Sequence, residues 1–354
     1  MTQAAALAAY GSNSPSNRNR IINGDMRIDQ RNAGASVTPN NSFTLDRWLF
    51  TNTQTSKVNI QQSSVAPSGF SNSLLVTSTS AYSVSAGDTF LITQIIEGFN
   101  IADLAWGSAD AKPITISFWV RSSITGTTGG ALINSADNRN YVFSYTINLA
   151  DTWEYKTVTI AGDTSGTWLT GNNRGISVRF GLGSGSTFSG AVGTWSSSNY
   201  VQPTGSVSVV GTSGATFYIT GVQLEAGSVA TPFEHRQYGQ ELQLCQRYYT
   251  IFRCGTAYGR VLSVAVGTGD SNLIRPTVQL PVRMRAAASS VDYGGALYWY
   301  NGTASGAVSA VSIDAANDTV IGLNCSTTGA SANQYYMIND YDANTAYIGI
   351  NAEL

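Results

Sequence analysis

Charge is what this chain lacks most. Among 354 residues only 11% are charged, with 19 basic against 21 acidic residues and a single histidine. Lysine is almost absent: Lys57, Lys112 and Lys156 stand against sixteen arginines. A formal net charge of -2 argues against nucleic acid as a partner, because phosphate binding needs a basic surface. Cysteine is scarce too. Cys245, Cys254 and Cys325 are odd in number and match no zinc spacing, so three reduced thiols are expected and no metal site. No apolar run approaches the roughly 18 residues of a spanning helix, so membrane insertion is not expected. The start, "MTQAAALAAYGSNSPSNRNR", lacks the basic and long apolar regions of a signal peptide, and folding in a cytoplasm is expected.

What is abundant is Gly, Ser, Thr and Asn between short apolar runs, the composition of an all-β chain with many turns. "ITISFWVRS" alternates: Ile114, Ile116, Phe118 and Val120 point one way, Trp119 and Arg121 the other. "YVFSYTINL" sets Tyr141, Phe143, Tyr145 and Ile147 on one side. "EYKTVTI" sets Tyr155, Thr157 and Thr159 against Lys156, Val158 and Ile160. "GISVRFGLG" sets Ile176, Val178, Phe180 and Leu182 against Ser177 and Arg179. Turn-rich stretches such as "SSITGTTGG" and "GNNRG" separate the runs. A jelly-roll β-sandwich over residues 21–235 is the expected fold. Residues 1–20 are small and polar, and read as an arm that is either disordered or docked on a partner. From Arg236 the period changes. Leu242, Cys245, Tyr249 and Phe252 recur at three- and four-residue steps, which predicts a linking helix of about four turns within 236–254. A second β-rich domain is expected over 255–354.

Chemistry finds little to stand on. A Ser-His-Asp triad requires His235, which sits at a strand-to-helix corner between Glu234 and Arg236 with no nucleophile motif beside it. A salt-linked corner is the simpler reading. "DYDANT" opens like a calcium loop, then places Thr345 at the glycine position and Asn351 at the bidentate-glutamate position. "GLGSGS" has Ser186 where a dinucleotide fingerprint needs its third glycine. Asp29, Asp137, Asp151 and Asp163 are available as acids for glycosidic cleavage, but nothing in the sequence pairs them. No catalytic residue, metal or cofactor is expected. Aromatics are more suggestive, because sugars stack on flat rings flanked by polar groups. Seven Trp and eighteen Tyr are present. Trp119 and Arg121 share a strand face, with Arg179 expected on a neighbouring strand; Trp195 and Tyr200 lie in a polar loop and are expected to be exposed. For Trp119 the competing reading is packing within the sandwich.

"RIINGDMRIDQRNAG…FTLDRW" (20–48), "AKPITISFWVRSS" (111–123), "TWEYKTVTIAGDTSGTW" (152–168) and "ITGVQLEAGSVATPFEHRQYGQELQLCQRYY" (219–249) resemble a family of bacteriophage tail-fibre and related virion fibre proteins. The closing "LPVRMRAAAS" and "GINAEL" resemble that family's tip domain. The resemblance implies a carbohydrate-binding-like jelly roll, a C-terminal β domain and a homotrimer, with no catalytic residues. The arm is then expected to hold other virion proteins, the helices either to pack on their own domain or to meet around a threefold axis, the jelly roll to form the body and the C-terminal domain the tip, with a host cell-surface glycan as the partner recognised. Two other classes stay open: a head fibre or decoration protein without receptor binding, and a tailspike-like glycan-degrading enzyme.

Overall fold

The structure, a computed structural model, describes residues 18–254, 259–267, 272–340 and 345–354. The chain divides between Tyr238 and Gly239 into two compact units. The expected arm lies outside the described residues as far as Asn17. Asn19 and Arg20, expected to belong to it, are instead part of the first unit: Asn19 is buried and the Arg20 N–H donates to the Leu224 carbonyl at 2.9 Å.

Two large antiparallel sheets, with a short parallel pair of Ser189–Gly190 and Gln202–Pro203, form the first unit, as the alternating runs require. One has seven strands in the order Ser42–Phe43, Leu49–Asn52, Thr89–Glu97, Arg174–Ser184, Gly126–Asn134, Asn140–Ile147 and Trp195–Ser196. The other has five: Val58–Ser63, Ser73–Ser78, Thr216–Ala226, Ile114–Ser122 and Glu154–Ile160. The non-consecutive order is that of a jelly roll. Each strand turns one side to a shared core. Ile116, Phe118 and Val120 from one sheet and Ile176, Val178, Phe180 and Phe143 from the other are essentially inaccessible to water. Phe180 meets Phe118 and Phe143 edge-on, with ring centroids 5.1 and 6.0 Å apart.

The charged corner singled out in the sequence is a clasp inside this unit. Arg236 donates to the backbone carbonyls of Ile21, at 3.1 Å, and Asn19, and pairs with Glu234 at 3.4 Å. Glu234 also accepts the Asn19 N–H at 2.9 Å. The Asn19 side chain completes the tie, donating to Val222 O and accepting from the Ile21 and Leu224 N–H groups. Glu225 is buried and accepts from Gln223 and Thr231. The first described segment is thus pinned along the strand that ends the sandwich. The expected salt link is made by Arg236, whereas His235 is exposed, its ring 5.3 Å from Phe70 and 4.9 Å from Phe233.

The linking helix is shorter than its stripe suggested. It spans Tyr238–Gln246, and Tyr249–Arg253 is a strand. Tyr249 and Phe252 therefore belong to a sheet, paired with Asn351 and Ile348 on the strand Tyr347–Asn351. The β-branched and aromatic run "YTIF" favours extended backbone once that partner strand is available. Cys245 and Tyr249 are buried within the single chain, and Leu242 and Phe252 are half-buried. The first two are closed to a threefold interface, and the four do not form one helical stripe. In the second unit six strands close a barrel: Arg260–Gly267, Leu273–Gln279, Val320–Thr327, Ser305–Ala316, Leu297–Tyr300 and Tyr335–Asp340. Ile274, Leu323, Cys325, Trp299, Tyr336 and Ile338 fill it. Beside it a three-stranded sheet joins Tyr249–Arg253, Tyr347–Asn351 and Ser290–Gly294. The calcium-like "DYDANT" falls mostly outside the described residues, but Asp340 is buried and accepts the Ala346 N–H at 2.7 Å.

Three outcomes follow from this packing. Arg236→Ala strips the clasp of its cation and leaves two carbonyls and a carboxylate underserved. A loss of about 3 kcal/mol is expected, read as a fall of about 6–12 °C in the jelly-roll melting transition. Asp88, at the head of the strand Thr89–Glu97, is pushed up by burial. Hydrogen bonds from Tyr82, the Ser85 N–H, Thr53 and Gln54 outweigh this and hold it at about 2. A carboxyl depressed from its ordinary value of about 4 adds stability that is complete above that value and is lost as pH falls through about 2. The melting temperature of Asp88→Asn should therefore lie below that of the parent at pH 7 and converge with it near pH 2. Burial also pushes the Cys325 thiol up to about 12, and all three cysteines are buried and outside any disulfide. A thiol-specific reagent should label the native protein negligibly, and three thiols after denaturation.

Candidate glycan-binding site

The strand Arg174–Ser184 packs Ile176, Val178, Phe180 and Leu182 into the core, so Ser177 and Arg179 face outward. Its neighbour Thr89–Glu97 does the same with Phe90 and Ile92 inward, which leaves Leu91, Thr93 and Ile95 beside them. Arg179 is directly opposite Thr93 on one side and Ala131 on the other. Leu49 and Thr51 extend the surface, and Phe188, Asn199 and Val201 rise over it from the segment between the last strands. The result is an open groove of about 200 Å³ on the outer face of the seven-stranded sheet. Hydroxyls, an amide and two guanidiniums alternate there with aliphatic side chains, the mixture that holds a polar ligand by its edges and its apolar faces.

Two details define its electrostatics. Asp137 bridges the two guanidiniums, 2.9 Å from Arg174 and 3.0 Å from Arg179. Arg179 also donates to Asn199 Oδ1 at 2.8 Å. Burial lowers the Arg179 pKa; the Asp137 charge opposes this and the Arg174 charge adds to it. Ser177 is 1% exposed, and its Oγ has no hydrogen-bond partner among the described residues. A buried hydroxyl left without a partner costs about 1–3 kcal/mol, and an arriving ligand atom can relieve that cost.

The five residues expected to bind glycan are not brought together. Arg179 lines the groove, whereas Trp119 and Arg121 lie on the five-stranded sheet, so Arg179 is not on a neighbouring strand. Alternation had fixed the face of each residue but not the sheet. Trp119 is half-buried on the outer face, not within the core, and its ring is 5.4 Å from that of the exposed Tyr155. Beside them Arg121 lies over Tyr218, which also meets Trp153, and contacts Asp151 at 3.5 Å. This second strip of aromatics and one guanidinium is separate from the groove. Trp195, expected to be exposed, is half-buried in a packed cluster, its ring 5.2 Å from Trp106, 5.5 Å from Trp168 and 5.2 Å from Tyr141. Its indole N–H donates to the Ala161 carbonyl at 3.0 Å. Tyr200 is half-buried, lying so closely over Gly190 that a Cβ there would stand 2.2 Å from the ring. It anchors the segment that carries Asn199, and its carbonyl accepts from the Asn140 amide.

Ser177, Arg174, Thr93 and Asn199 were not foreseen as site residues. Ser177 shares the Arg179 face by strand alternation and Arg174 begins the same strand; Thr93 becomes a neighbour through strand pairing and Asn199 through the segment that rises over the sheet. The acids considered for cleavage are each engaged. Asp29 accepts the N–H groups of Asn32 and Gly34, Asp137 bridges the arginines, Asp151 meets Arg121, and Asp163 accepts from Arg139 and Trp168.

No protein-family model matches the chain, and no curated protein matches it in sequence. Among solved structures it is similar to the enzymatically active domain of tailspike protein 4 of bacteriophage CBA120, with a TM-score of 0.33 and 14% identity over 60% of this chain and 22% of that one. It spans only that fifth of the tailspike chain. TmCBM61 in complex with beta-1,4-galactotriose has a TM-score of 0.30 at 10% identity, over 59% of this chain and 99% of that one. The family 11 carbohydrate-binding module of a cellulosomal cellulase of Clostridium thermocellum has a TM-score of 0.27 at 14% identity, over 58% of this chain and 99% of that one. All three scores lie below 0.5, and none of these proteins lends its ligand or activity to this chain.

Proposed function

We propose that this is a non-catalytic fibre protein of a bacteriophage virion whose jelly roll binds a saccharide of the host surface in the groove beside Arg179. One observation carries the binding reading: Ser177, whose buried hydroxyl has no partner among the described residues, lines a groove together with Arg174, Arg179 and Asn199. Sugars present ring hydroxyls to such groups and C–H faces to side chains such as Leu91, Ile95 and Phe188. The fibre role is supported by the ordered sequence motifs between Arg20 and Tyr249. In that role the chain is made in the host cytoplasm, attaches to other virion proteins through its first residues and works as a trimer. Trimeric display multiplies weak single-site contacts, so a shallow open groove suffices.

Glycan-array binding by the full chain tests the reading. Ser177→Val should weaken the strongest hit about three- to tenfold, the effect of one hydrogen bond, and Arg179→Ala should weaken it further. Trp119→Ala, on the other sheet, should leave it unchanged. Binding lost with Trp119 and kept with Arg179→Ala would move the site to the aromatic strip.

A further inference from the structure

The same groove carries information about the sugar it takes, an inference that rests on the binding reading above. Its lining holds two ionisable side chains, Arg174 and Arg179, and both are cations. One carboxylate, Asp137, serves the two of them, at 2.9 and 3.0 Å. Two positive charges against one negative leave a single positive excess, in a chain whose net charge is -2. Glu97 is opposite Arg174 in the strand register, but it is buried and not part of the lining.

The remaining polar groups are biased the same way. Arg179 retains 12% of its side-chain exposure and Arg174 retains 21%, so both are largely withdrawn from water yet reach the groove. Asn199 accepts from Arg179 through its amide oxygen, and its amide nitrogen adds a donor. Ser177 adds an unpartnered hydroxyl two residues from Arg179 on the same face. Groups able to donate thus stand beside an unbalanced cation. Planar guanidiniums match carboxylate oxygens in geometry as well as charge.

The geometry points to an acidic saccharide as the ligand: a uronate or other carboxylate-bearing sugar whose anion meets the Arg174–Arg179 pair while its hydroxyls meet Ser177 and Asn199. Asp137 then sets the strength of the attraction, because it cancels half of the cationic charge. Its backbone has φ of 54°, a left-handed conformation that asparagine tolerates well, so Asp137→Asn removes the charge without straining the chain.

The test uses the full chain and matched oligosaccharides: an oligogalacturonate and a sialylated glycan, the carboxyl-reduced neutral form of each, and a sulfated glycan without carboxylates. Carboxylated members should bind and their reduced forms should bind about tenfold more weakly or worse, with an affinity that falls as salt is raised. Asp137→Asn should tighten binding of the carboxylated sugar about three- to tenfold, and Arg174→Gln should weaken it by a similar factor; each change should be several-fold larger than the same variant's effect on the carboxyl-reduced sugar. A purely structural role for Asp137 predicts no gain. Equal binding of acidic and reduced forms, still abolished by Arg179→Ala, overturns the acidic assignment and keeps the groove. Preference for the sulfated glycan alone also overturns the carboxylate assignment. Binding to no member overturns both.

Discussion

A β-strand has two faces, and a sandwich can bury only one of them. That constraint governs the first unit. Ile176, Val178, Phe180 and Leu182 are held in the core by contact with the opposite sheet. The same pleat forces Ser177 and Arg179 outward. A one-residue slip of that strand would bury an arginine and expose a phenylalanine, so its register is strongly fixed. The groove is therefore a by-product of core packing. Its polar residues are placed by apolar ones they never touch, and a site built on paired strands is stiffer than one built on loops.

A second layer of order comes from the clasp. Asn19, Glu234 and Arg236 bind the first described segment to the end of the sandwich through backbone carbonyls and N–H groups more than 200 residues apart in sequence. Such contacts close the unit without contributing chemistry, which accounts for the concentration of charge in a chain otherwise poor in it. Around the groove the same economy holds. Asp137 satisfies two arginines, Asn199 satisfies Arg179, and Tyr200 fixes the segment bearing Asn199 by lying on Gly190.

Much of the fold was legible in the sequence, because period-two alternation is a local property. It separated the two faces of "ITISFWVRS", "EYKTVTI" and "GISVRFGLG" as they stand in the sandwich. Where a decision needed a partner from far along the chain, the sequence was silent. Tyr249 and Phe252 fit a helical stripe as well as a strand, and pairing with Tyr347–Asn351 decides between them. Trp195 sits among polar neighbours in sequence, yet Trp106 and Trp168 close on it in space. Arg179 was recognised as outward-facing, but its companions Thr93, Arg174 and Asn199 gather only when three separate segments meet. The site was therefore visible as single residues and not as a constellation.

The central claim is that the outer face of the seven-stranded sheet is where ligand binds. Its most direct test is a high-resolution structure of the full chain soaked with the tightest-binding saccharide. The account predicts sugar density against Arg179, Ser177 and Asn199, with the Ser177 hydroxyl hydrogen-bonded to it. Density on the Trp119–Tyr155 strip or on the C-terminal barrel, with the groove left to water, would contradict it.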